Sequence, residues 1–93
     1  MKVVDNKVNQ TFPKDITDRM RDCVLAIFWP KEDIISFFKD NGCTTKDLKD
    51  VQSYKDQQMS RAKIVNLVFS SLKNRSDGGI GQYRSIIKSL LAI

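Results

Sequence analysis

The chain contains no histidine, and Glu32 is its only glutamate. The missing histidine removes the commonest general base, the Ser-His and Cys-His nucleophile pairs and the commonest zinc ligand together. Catalysis by Asp and Lys alone has no arrangement to support it, since no Asp pair sits beside the Glu-x-Lys of a nuclease core. The one glycine-rich stretch, Asp77-Gly78-Gly79-Ile80-Gly81, lacks the lysine of a phosphate-binding loop and reads as a turn. The expectation is a chain without enzymatic activity, cofactor, metal or small-molecule substrate. Only two cysteines are present, too few for a stapled secreted domain. Cys23 falls on an apolar helix stripe and Cys43 after a turn glycine, so both are expected to be small buried side chains. No apolar run approaches the roughly 18 residues of a membrane span. Residues 1–7 lack the apolar centre of a secretory signal, which points to the cytoplasm.

What is present is a helical pattern. At 93 residues with 41% apolar side chains, the chain has the material for one core and no second one. Residues 60–74 carry Ile64, Val65, Leu67, Val68, Phe69 and Leu72, leaving a narrow polar strip of Lys63, Asn66, Ser70 and Lys73. An apolar surface this wide needs neighbours on several sides, so this helix is expected to be the central post of a bundle, capped by Ser60. Around it, helix 1 starts near Pro13 with Ile16, Met20, Cys23, Val24 and Ile27 inward. Pro30 ends helix 1 and opens helix 2, which carries Ile34, Ile35, Phe37 and Phe38 and closes at Asn41-Gly42. Trp29 is expected to plug the joint between the two. Thr44 and Asp47 form a capping-box pattern opening a short helix 3 with Leu48 and Val51. Residues 52–59 read as a polar loop with Tyr54 its one large apolar side chain. After the Asn74–Gly79 turn signal, the last helix puts Ile80, Tyr83, Ile86, Ile87, Leu90 and Leu91 inward and packs on residues 60–74 as an antiparallel hairpin. The reading is all-α: a flexible arm over 1–12, then one compact bundle of about five helices over 13–93.

The charge is unevenly placed. Residues 1–57 hold ten basic against ten acidic side chains, whereas 58–93 hold six basic against Asp77 alone, so the whole net charge of +5 follows Gln57. Segregated charge says something about partners. Arg61, Lys63, Arg75, Arg84 and Lys88 are the expected interaction surface. It can meet an acidic patch on a protein, including Asp15, Asp18, Asp22 or Asp33 of a second copy, or nucleic-acid phosphates. The latter reading lacks a stacking platform, because Phe69 and Tyr83 lie on core stripes. A helix-turn-helix over 34–51 is disfavoured. Phe38 stands where close helix approach needs a small side chain, and Lys46 and Lys49 are cancelled by Asp47 and Asp50.

Several of these residues recur in a known pattern: Phe28-Trp29 with Lys31-Glu32-Asp33, Phe37-Phe38 before Gly42, Arg61-x-Lys63-Ile64-Val65-x-x-Val68-Phe69-x-x-Leu72, then Asp77-Gly78 and Tyr83-Arg84-x-Ile86-Ile87-x-x-Leu90. Over residues 13–93 this resembles the small all-helical N-terminal modules of bacterial conflict and anti-phage proteins, of effector-associated or death-like type. A death fold carries six helices where this sequence shows five. The resemblance implies an adaptor that recruits a partner or self-associates, with the effector chemistry elsewhere in a larger protein.

Overall fold

The computed structural model of the chain describes residues 13–93, and the arm expected over 1–12 lies outside them. Among the described residues there are four α-helices and no strand: α1 (Lys14–Ile27), α2 (Lys31–Asp40), α3 (Arg61–Lys73) and α4 (Ile80–Leu91), with a single 3-10 turn at Lys49–Val51 between α2 and α3. None of the four is long and apolar enough to cross a membrane.

Each of the two prolines opens a helix, and Pro30 also sets the corner between α1 and α2. Pro13 and Pro30 stand just before α1 and α2, and their carbonyls accept the opening hydrogen bonds from Ile16 (3.1 Å) and Asp33 (3.1 Å). Proline has no N–H to lose at a helix start and its φ is already helical. α3 is the post. Ile64, Val65, Val68 and Leu72 are wholly buried, Phe69 nearly so, while Lys63, Asn66, Ser70 and Lys73 stay in solvent. Ser60 caps it, its hydroxyl oxygen accepting from the Lys63 N–H at 3.1 Å. α1, α2 and the 3-10 turn approach α3 most closely. A chain of aromatic contacts, Phe28–Phe37–Phe38–Phe69–Tyr83, runs from the residue that follows α1 through α2 and α3 to α4 at centroid spacings of 4.7 to 6.0 Å. Such pairs favour tilted and edge-on geometry, which these rings adopt. α4 meets α3 through Tyr83, whose hydroxyl donates to the Phe69 carbonyl at 3.1 Å, but its backbone packs most closely on α1, so the expected hairpin on residues 60–74 is not its main contact.

The predicted third helix is not an α-helix. Thr44 and Asp47 do form the reciprocal cap, with the Thr44 N–H 2.8 Å from the Asp47 carboxylate and the Asp47 N–H 3.3 Å from the Thr44 hydroxyl. Beyond it the chain turns in steps of three, Val51 N–H to Leu48 and Tyr54 N–H to Val51. Leu48 and Val51 are both buried and Tyr54 half-buried. Side chains three apart eclipse one another in a 3-10 turn, so that geometry sends all of them to one side. Gln58 takes a left-handed φ of 51°, and Met59, read as part of a polar loop, is buried.

Five further expectations are corrected at the rim. Cys23 is exposed while Cys43 is buried, and Ile16, Ile27 and Leu91 are exposed as well. α3 covers the side of α1 bearing Met20 and Val24, and no described element spans the neighbouring Ile16–Cys23–Ile27 edge. Leu91 is the last residue of α4, on the side away from the core. Trp29 does not plug the corner: it is 71% exposed, and Phe28 fills the joint against Phe37 instead.

Candidate interaction surfaces

The five cations expected to form one surface are not brought together. Arg61 is the first residue of α3 and Arg75 lies just past its other end, about 21 Å away at 1.5 Å per residue. Both are spent inside the molecule. The Arg61 guanidinium donates to the carbonyls of Leu25 and Phe28, the latter at 2.7 Å, and lies over the Trp29 ring at 4.2 Å. It thus closes the C-terminal end of α1, where helix carbonyls lack intrahelical partners. Its Nε is buried without a hydrogen bond. Arg61→Lys is expected to cost about 1–2 kcal/mol in a urea melt, because an ammonium keeps the charge and can still donate to a carbonyl but has no planar group to stack flat on the indole while it does so. An unchanged midpoint would mean the arginine is there for its charge alone.

Arg75 is held between two carboxylates. Its Nη1 lies 2.8 Å from Asp47, which is 4% exposed, and its Nε 2.9 Å from Asp77. Asp77 also accepts from the Gly79 N–H at 2.9 Å. Burial alone would raise the Asp47 carboxyl, but the Thr44 N–H and the Arg75 guanidinium outweigh it and hold the pKa below its ordinary 3.8. Asp77 is lowered further, to about 2, by Arg75 first and the Gly79 N–H second. Depressed carboxyl pKa values add stability that is complete above the unfolded value and disappears as pH falls through the folded one. Unfolding free energy is therefore expected to decline between about pH 4 and pH 2, and Asp47→Asn to remove part of that decline while costing about 2 kcal/mol at pH 7. A wild-type acid limb identical to that of the variant would contradict this. Beside the network, the buried Cys43 thiol is pushed up to about 12 by burial and by the Asp47 charge, which leaves it unreactive at neutral pH.

That leaves Lys63, Arg84 and Lys88 exposed and outside any ion pair among the described residues. On the acidic side, Asp18 is taken by Lys14 (2.8 Å) and Asp22 by Arg21 (3.3 Å), whereas Asp15, Asp33 and Asp40 are unpaired among the described residues.

A feature that sequence patterning missed lies at the end of the bundle where α1 and α4 finish. Ile27 (40% exposed) and Ile93 (68%) share a groove of about 540 Å³ with Phe28 and Phe37, and Asp33 and Asp40 of α2 stand on its rim. Trp29 and Leu91, 71% and 83% exposed, neighbour it in sequence. Of these four exposed apolar side chains, Ile27 and Ile93 line the groove itself. The sequence signal available was Trp29 next to Pro30: a residue in the extended break between two helices has no stripe to bury it. No group of three or more Cys, Asp or Glu side chains that could hold a metal ion occurs among the described residues. In comparisons with known proteins, the chain matches no family model, no curated protein and no solved structure.

Proposed function

We propose that this chain is a non-catalytic protein–protein interaction module, which recruits a partner or self-associates. In this reading it is an adaptor of the effector-associated or death-like kind its sequence resembles, serving a larger bacterial defence protein in the cytoplasm. The observation that carries the proposal is the apolar end of the bundle. A monomeric domain that buries its core this completely has little reason to keep Ile27 and Ile93 in water around one groove, with Trp29 and Leu91 exposed as well, and exposed apolar surface of this extent marks contact sites. Aromatic anchors beside charged rims are the usual composition of such sites.

Sedimentation velocity across the micromolar range, with a photo-crosslinking residue placed at position 29 in the native cell, tests it. The expected result is concentration-dependent assembly, a discrete crosslinked product, or both. A monomer at every concentration together with no discrete crosslink sinks the proposal. Nucleic-acid binding is the weaker reading, because Arg61 and Arg75 are already committed to carbonyls and carboxylates and only three of the five cations are left for phosphates.

A further inference from the structure

Two surfaces on this chain complement one another and cannot meet within one molecule. The first is the outer edge of α4. Arg84, Lys88 and Leu91 follow each other at i, i+4 and i+7, so they share one side of the helix, and all three are exposed. The two cations are one turn apart with no acid beside them among the described residues, an arrangement that slightly disfavours the helix. The second surface is the groove floored by Ile27, Phe28, Phe37 and Ile93 and rimmed by Asp33 and Asp40. Asp40 is the last residue of α2, the end of a helix dipole where negative charge is disfavoured, and it too has no cationic partner among the described residues. Ser89, which helps line the groove, precedes Leu91 by two residues and follows Lys88 by one, and each helical residue turns the side chain by about 100°. The cationic edge therefore points away from the groove of its own chain.

From this juxtaposition we infer that the partner is a second copy of this chain, whose Arg84–Lys88–Leu91 edge seats in the Ile27–Phe37 groove with its cations against Asp33 and Asp40. The inference rests on the reading of the chain as an interaction module and names the occupant of that surface. Leu91 supplies the apolar knob that the groove lacks, and the unpaired charges on both surfaces find opposites. The arrangement is a helix laid in an apolar groove with charge setting the register. Because edge and groove are different surfaces, the contact is heterologous: it closes into a ring or continues as a filament, and a two-fold dimer is not its product.

The test uses the full chain in two double variants, Arg84→Asp/Lys88→Asp and Asp33→Lys/Asp40→Lys, with thermal melts to show that both remain folded. The neutral pair sets Arg84→Gln/Lys88→Gln and Asp33→Asn/Asp40→Asn stand in if either melts early. Wild type is expected to grow beyond a dimer with concentration and to weaken with added salt. Each variant alone should self-associate at least about tenfold more weakly, since all the charge pairs across the contact turn from attractive to repulsive together. Mixed in equal amounts, the reversed variants complement each other at both contacts, native edge to native groove and reversed edge to reversed groove, so alternating growth beyond a dimer is expected to return. The two neutral variants mixed keep only one intact edge and one intact groove, so a one-to-one dimer that grows no further is expected of them. Variants that assemble as wild type does, or a wild type that stops at a two-fold dimer, overturn the contact while leaving an interaction module standing. A monomeric wild type also overturns it, and the position-29 crosslink then decides separately whether the module reading survives.

Discussion

Phe38→Ala is expected to lower the unfolding free energy by about 4 kcal/mol, the middle of the range for deleting a fully buried phenyl ring. Phe38 is 0% exposed and sits at the centre of the aromatic chain, 6.0 Å from Phe37 and 5.8 Å from Phe69 between ring centroids. Its loss removes the transferred apolar surface and also the edge-on contact that ties α2 to the central post. The cavity cannot close by collapse from one side, because Phe69 is itself held by Tyr83, whose hydroxyl is bonded to the Phe69 carbonyl. For a domain of this size that loss lowers the melting temperature by roughly 20 °C, readable by circular dichroism. Phe38→Leu should recover most of it. A variant melting within a few degrees of wild type would show that Phe38 does not anchor the core.

Gly79→Ala is expected to cost about 3 kcal/mol. Gly79 has φ +70° immediately before α4, a conformation that already costs an L-residue about 1 kcal/mol. A Cβ there would stand 2.8 Å from the Leu72 carbonyl oxygen and 2.9 Å from the Leu72 Cβ, and Leu72 is buried with no room to retreat. The strained turn and the clash therefore add. Gly81, two residues on, supplies the internal control: it is inside α4 and a Cβ built on it meets nothing within 4 Å. Gly81→Ala should stabilise by about 0.5–1 kcal/mol through helix propensity. Opposite signs at two glycines so close together in one denaturation series would separate shape from propensity. Equal effects would refute the packing of Leu72 on the turn.

How much of this was legible beforehand depends on the residue. The post was legible, because a helix apolar on so much of its circumference has only one kind of place to sit. The prolines and Ser60 were legible too, since each is set by backbone chemistry within one turn. The 44–51 segment shows the limit. Its apolar residues, Leu48, Val51 and Tyr54, recur at three and not at three-and-four, and the cap pattern of Thr44 and Asp47 forms whether or not an α-helix follows. The strict spacing of three was the signal for a 3-10 turn. Charge was legible only as a total. That Arg61 would bend back to the Leu25 and Phe28 carbonyls, and Arg75 to Asp47, depends on contacts 28 to 36 residues apart, which no local pattern encodes. The apolar end was hidden for the same reason: an apolar residue at the right helical spacing reads as core, and only the arrangement of the other helices decides which edge of the stripe goes uncovered.

Asn41 carries a consequence for the lifetime of the molecule. Asparagine followed by glycine is the dipeptide most prone to spontaneous deamidation, since the glycine nitrogen attacks the neighbouring side-chain amide to form a cyclic imide. Here that attack is blocked on both sides. The Asn41 side-chain nitrogen donates to the Phe37 carbonyl at 2.8 Å, its oxygen accepts from the Ser85 and Ser89 hydroxyls at 2.7 Å each, and the Gly42 N–H is occupied by the Lys39 carbonyl at 3.2 Å. Chemical ageing at this bond therefore waits on unfolding, and a copy that has aged returns with a carboxylate where the amide nitrogen served as donor. Each excursion to the open chain risks becoming permanent, so the accumulated imide-derived aspartate records how often the bundle has come apart.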